Sequence, residues 1–130
     1  MSHQSTKKNL QQIFSTWGDL EFAVLVGSRA AGTERPDSDW DIALYWREGL
    51  PWLERVEKTE TLRRELAKAL GEIESRVDLI DLANTNLAMR AAVAEEGKPL
   101  AGEDRSAWAR FLRRTWRELE DFYWEKEHAA

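Results

Sequence analysis

Two short runs decide the fold: EFAVLVG (Glu21–Gly27) and DWDIALYW (Asp39–Trp46), joined by SRAAGTERPDS (residues 28–38). The first is apolar, rich in β-formers and closed by glycine, which predicts a buried strand. The second has the same character behind two acids and predicts a second strand, ended by Gly49 and Pro51. The joining segment holds Ser, Gly, Thr, Pro and Asp, so it is expected to turn, with one helical turn at Ser28–Ala31.

Helical patterns flank this pair. Leu10, Ile13, Phe14 and Trp17 form one stripe of a helix from about Ser5 to Trp17. Leu53, Val56, Leu62, Leu66, Ala69 and Leu70 recur at helical spacing over about Trp52 to Leu70, with Gly71 as a C-terminal stop. VDLIDL (Val77–Leu82) predicts a third strand. A helix capped by Asn84 or Thr85 follows to about Glu96, then a short strand over Lys98–Ala101. A last helix runs from Asp104 or Ser106 to about Lys126. The expectation is one α/β (α+β) domain over residues 1–130, a small mixed sheet covered by helices, with a C-terminal helix at about 104–126.

Composition narrows the function. The absence of cysteine removes disulfides, thiolate zinc sites and cysteine nucleophiles. No apolar run approaches the roughly 20 residues of a membrane span. The N-terminal MSHQSTKKNLQQIF lacks the apolar stretch of a signal peptide, so the cytoplasm is the expected location. The net charge of −5 argues against a polynucleotide ligand, which needs a basic footprint. One basic cluster exists (Arg110, Arg113, Arg114, Arg117), but Glu118, Glu120 and Asp121 follow it, and the expected reading is a solvated helix face.

The chemistry is concentrated in GSRAAGTERPDSDWD (residues 27–41). Glycine at a strand end lets another group approach the backbone closely. The serine after it offers a hydroxyl and, at a helix start, backbone N–H groups suited to phosphate oxygens. Asp39 and Asp41, two apart on a predicted strand, are expected on one face about 7 Å apart. Two such carboxylates are hard oxygen ligands suited to Mg²⁺. A third carboxylate can come from Asp78 or Asp81, and alternation allows only one of these on the shared face. Asp78, nearer the strand's start, is chosen. Three carboxylates facing a triphosphate need metal, and two magnesium ions would remove the repulsion and orient an in-line displacement. Asp37, Asp39, Asp41 and Glu48 imitate a calcium loop, but Ile42 stands where that loop needs glycine. GSRAAG lacks the Gly-Lys-Ser/Thr of a P-loop.

Gly27-Ser28, ten residues, then Asp39-Trp40-Asp41 resembles the signature of the minimal nucleotidyltransferases (MNT) of the DNA polymerase β superfamily. The stretch from Val77 to Trp108 resembles the tail of antitoxins in HEPN/MNT toxin–antitoxin pairs. The resemblance implies an enzyme that transfers AMP from ATP to a tyrosine of a partner HEPN ribonuclease toxin and so silences it. It implies that Gly27 and Ser28 hold the triphosphate, that Asp39, Asp41 and Asp78 bind magnesium, and that Asp78 helps to deprotonate the attacking hydroxyl. Arg29 would contact phosphate or brace the turn. Ala31 stands where many relatives carry a second arginine. The alternatives are a binding-only antitoxin that blocks its toxin by contact, and a transferase with a small-molecule acceptor. Trp40 is expected in the core, pointing away from the acids. His3 and His128 are expected to be exposed and non-catalytic. On the last helix, Trp108 to Leu112 suit the core, whereas Trp116 to Trp124 are expected to dock a partner.

Overall fold

A computed structural model describes residues 3–129, and side chains from residue 5 to residue 129. Among the described residues five α-helices and four strands alternate: α1 (His3–Ser15), β1 (Leu20–Val26), α2 (Gly27–Ala31), β2 (Trp40–Trp46), α3 (Trp52–Leu70), β3 (Val77–Asp81), α4 (Leu87–Glu96), β4 (Lys98–Ala101) and α5 (Ser106–His128). The sheet order is β3-β2-β1-β4. β1 runs antiparallel to β2 and β4, and β2 runs parallel to β3. A parallel pair needs a long crossover, and α3 supplies it.

Both faces of the sheet are covered, which is why β1 and β2 read as almost unbroken apolar runs. One face carries Ala23, Ile42, Leu44, Trp46, Val77 and Leu79 against Leu10 and Phe14 of α1 and Leu62, Leu66 and Ala67 of α3. The other carries Phe22, Val24, Val26 and Ala43 against Val93 of α4 and Ala107 and Phe111 of α5. On that second face Phe22 stacks on Tyr45, with ring centroids 5.1 Å apart, and meets Trp108 edge-on at 5.0 Å. Among the described residues no helix is long and apolar enough to cross a membrane.

Several expectations shift. Leu53 and Val56 are exposed, together with Trp52, so the buried stripe of α3 begins only at Leu62. The first turns of α3 are tied instead by Arg55, whose Nε donates to Asp81 Oδ2 at 3.1 Å. The helix expected from Asn84 or Thr85 starts later. Asp81 accepts from Ala83 N and closes a 3₁₀ turn at Leu82–Asn84, and Asn86 then caps α4 by accepting from Met89 N at 2.9 Å. Trp40 packs half-buried against the α1/α3 core, as alternation requires.

Candidate active site

The sheet register brings the acids of two strands together. Asp41 of β2 lies directly beside Asp78 of β3 in the parallel ladder. By alternation both belong to the α4/α5 face, with Ala43 and Ile80, whereas Asp81 falls on the opposite face and is engaged by Arg55. Asp39 does not lie on the strand as expected, because β2 begins at Trp40. It sits at the end of a turn in which Ser38 Oγ accepts from Arg35 N at 2.8 Å and Ser38 N donates to Arg35 O at 3.0 Å. Arg76 holds the same loop to the start of β3 by donating to Asp37 O.

Asp39 and Asp78 are exposed and Asp41 is half-buried. Burial pushes the Asp41 carboxyl above its ordinary value, and the charges of Asp78 and Asp39 push it further. The charges of Asp78 and Asp39 are thus both felt at Asp41, and no basic side chain is among the causes of the shift. Among the described residues no three acidic or histidine side chains stand close enough to enclose an ion by themselves. The arrangement still fits Mg²⁺, which takes one or two carboxylates and completes its shell with water and substrate phosphate oxygens.

Gly27 explains how the turn approaches this point. Its φ is +74°, and a Cβ built there would lie 2.3 Å from Asp41 Oδ2. Only a residue without a side chain lets the end of β1 pass the Asp41 carboxylate so closely. Ser28 follows within α2, which no side chain caps.

Arg29 takes the bracing role. Its Nε and Nη2 both donate to Ser38 O, at 3.3 and 2.9 Å, and its guanidinium lies 4.2 Å from the Trp40 ring centroid. It thus clamps the segment that carries Asp39 and Asp41. Arg29→Ala is expected to cost about 1–2 kcal/mol of stability, and Arg29→Lys is expected to recover only part of it because the planar fork is lost. Thermal unfolding of the two variants measures this. Arg29, Trp40, Lys7 and Lys98 border a hollow of about 660 Å³, which belongs to the α1 side of the sheet, away from the carboxylates. His128 is exposed and stacks on Trp124, far along α5. The expectation for the His3 side chain falls outside the described residues.

The sequence pattern described as "Polymerase beta, Nucleotidyltransferase" matches residues 8–106, which include both central strands, the Gly27 turn and all three acids. The chain belongs to the polymerase beta nucleotidyltransferase family. Within this family, the protein adenylyltransferase MntA of Shewanella oneidensis is 36% identical over 83 residues, or 64% of this chain and 55% of that protein. The chain spans about half the length of that curated relative. A crystal structure of a toxin–antitoxin with AMP-PNP contains a chain that matches with a TM-score of 0.71 at 26% identity, over 93% of this chain and 92% of that one. A complex of tri-AMPylated Shewanella oneidensis HEPN toxin with MNT antitoxin matches with a TM-score of 0.68 at 24% identity, over 97% and 93% of the two chains, which is a likeness of fold.

One part of the α4/α5 face escaped sequence reasoning. Arg110 and Arg114 are exposed, as expected, but beside them Thr115 is fully buried next to a hollow that Tyr45 also borders. Their spacing along the helix was visible. The burial of Thr115 was not, because a threonine on a charged helix carries no signal of depth.

Proposed function

We propose that this chain is an antitoxin that transfers AMP from ATP to a tyrosine hydroxyl of a partner HEPN ribonuclease toxin. The observation that carries this reading is the register of Asp41 beside Asp78, with Gly27 passing Asp41 closely enough to exclude any side chain. The adenylyltransferase activity of the Shewanella relative and the toxin–antitoxin setting of the AMP-PNP structure support it.

In this scheme Gly27 and Ser28 hold the triphosphate at the end of β1. Asp39, Asp41 and Asp78 would hold Mg²⁺, two ions in this reading, and the metal would supply charge neutralisation of the phosphates and of the leaving oxygen. Asp78 lies at the edge of the sheet and accepts the proton of the attacking hydroxyl. The tyrosine oxygen bonds to the α-phosphorus, the bond from that phosphorus to the bridging oxygen breaks, and pyrophosphate leaves. Positioning supplies much of the acceleration: Arg29 fixes the loop that carries Asp39, and the ladder fixes Asp41 against Asp78.

The partner is engaged by the end of α5. Thr115 is the last buried residue of that helix, yet the helix continues to His128. Phe122, Tyr123 and Trp124 are 50%, 58% and 61% exposed. Replacing these three by Ala is expected to leave thermal stability within about 0.5 kcal/mol, because they pack on little of their own domain. Partner affinity is expected to fall at least about a hundred-fold, as loss of aromatic anchors does. Unchanged co-purification with the toxin would show that α5 does not dock it.

A binding-only antitoxin would need the same exposed aromatics and no chemistry. Toxin neutralisation by an Asp39→Asn, Asp41→Asn variant that still binds the toxin separates the readings: transfer predicts that protection is lost, contact alone predicts that it persists.

A further inference from the structure

Asp39 is the one acid of the proposed site that no strand places. The parallel ladder starts with Trp40 beside Val77 and continues with Asp41 beside Asp78. One step earlier Asp39 and Arg76 would face each other, but neither is extended in the sheet. Asp39 follows the turn closed by Ser38, and Arg76 ends a 3₁₀ turn over Glu74–Arg76. Asp39 is also exposed. A carboxylate on a loop samples positions that a ladder residue does not, and ordering it around an ion subtracts from the affinity.

A side chain replaces the missing rung. Arg76 donates from Nη1 to the carbonyl of Asp37, so the residue two before Asp78 grips the residue two before Asp39. Among the described residues no other hydrogen bond joins residues 33–39 to β3 or to the turn before it. Arg29 works differently, because it holds Ser38 to α2 and does not reach across to β3. The base of the Arg76 grip is itself anchored. Its backbone N–H donates to Ile73 O at 3.0 Å, and the next carbonyl, Val77 O, accepts from Arg63 Nε of α3 at 3.1 Å.

We propose that Arg76 is a positioning residue of the metal site, whose grip on the Asp37 carbonyl sets Asp39 against Asp41 and Asp78. This rests on the proposed function, in which those acids hold Mg²⁺. Hydrogen bonds that orient a metal ligand typically contribute roughly ten- to a hundred-fold in metal affinity. Charge alone predicts the opposite sign: removing a guanidinium near a cation site removes repulsion and tightens the ion. A fall in affinity on removing Arg76 therefore reports position and not charge.

The test is an NMR titration of the ¹⁵N-labelled full chain with Mg²⁺ alone at constant ionic strength, read at the amide signals of Asp41 and Asp78. Arg76→Gln is expected to weaken Mg²⁺ about ten-fold. Arg76→Lys should recover part of that loss, because an ammonium can still donate to one carbonyl. On an Asp39→Asn background Arg76→Gln should cost nothing further, since no carboxylate at that position is left to place. Unchanged or tighter Mg²⁺ binding by Arg76→Gln overturns the proposal. So does an equal loss on the Asp39→Asn background, which would mark a general loosening of the chain. Failure of the proposed metal site reads differently: Asp39→Asn itself would then leave Mg²⁺ binding unchanged, and the site and its positioning residue fall together. Weakened binding in Asp39→Asn with none in Arg76→Gln sinks the role of Arg76 alone.

Discussion

Asp41→Asn is expected to lower AMP transfer by about a thousand-fold or more while the fold survives. A metal-bound oxygen at the reacting phosphate contributes several kcal/mol, and each ~1.4 kcal/mol is a factor of ten. The fold survives because the Asp41 carboxylate is a liability when no metal is bound. Burial and the charges of Asp78 and Asp39 raise its pKa above the ordinary carboxylate value. A carboxyl whose folded pKa lies above its unfolded one contributes stability below the unfolded pKa and loses it as pH rises through the folded value. In EDTA the wild-type protein should therefore lose part of its stability as pH rises from the ordinary carboxylate range. Asp41→Asn should flatten that part of the profile. Melting curves between about pH 3 and pH 7 test it, and a variant profile that still falls in step with the wild type would assign the effect to other groups.

Gly27→Ala is expected to damage both stability and transfer. A residue with a Cβ at φ +74° costs roughly 1–2 kcal/mol. The new methyl would also meet Asp41 Oδ2 at 2.3 Å and Asp41 Cγ at 3.2 Å, so the carboxylate must move. A shift of about 1 Å in a group that positions substrate costs roughly a hundred-fold in rate. The two causes separate on an Asp41→Ala background. There both clashing atoms are gone and, of Asp41's three close atoms, only Cβ remains, at the ordinary distance of 3.4 Å. The stability cost of Gly27→Ala should shrink there to the backbone part. An equal cost on both backgrounds would mean that the close approach of Gly27 to Asp41 is not what demands glycine.

Much of this site was legible because strand alternation leaves few choices. EFAVLVG and DWDIALYW read as strands from their apolar runs, and VDLIDL as a third, while the parallel pairing of β3 with β2 appears only in the structure. Alternation then divides Asp78 from Asp81, and the structure adds that Arg55 holds Asp81 on the other face. What stayed hidden depends on contacts between residues distant in sequence or on geometry outside regular structure. Asp39 leaves the strand because Ser38 closes a turn onto Arg35, and Arg29 grips the Ser38 carbonyl. Leu53 and Val56 fit a helical stripe, yet the first turns of α3 lie uncovered and the stripe is wasted there. Arg110 and Arg114 lie on the solvated helix face expected of them, but their neighbour Thr115 gives no hint in the sequence that its hydroxyl is sealed inside.

The central claim is that the acids of β2 and β3 direct a nucleotidyl transfer to a protein acceptor. The measurement that tests it most directly is the fate of label from ATP incubated with this chain, Mg²⁺ and its HEPN partner. Label in the α-phosphate should appear on a tyrosine of the partner and label in the γ-phosphate should leave in pyrophosphate, with both events lost in the Asp39→Asn, Asp41→Asn variant. Incorporation of γ-label, or full α-labelling by that variant, would contradict the account.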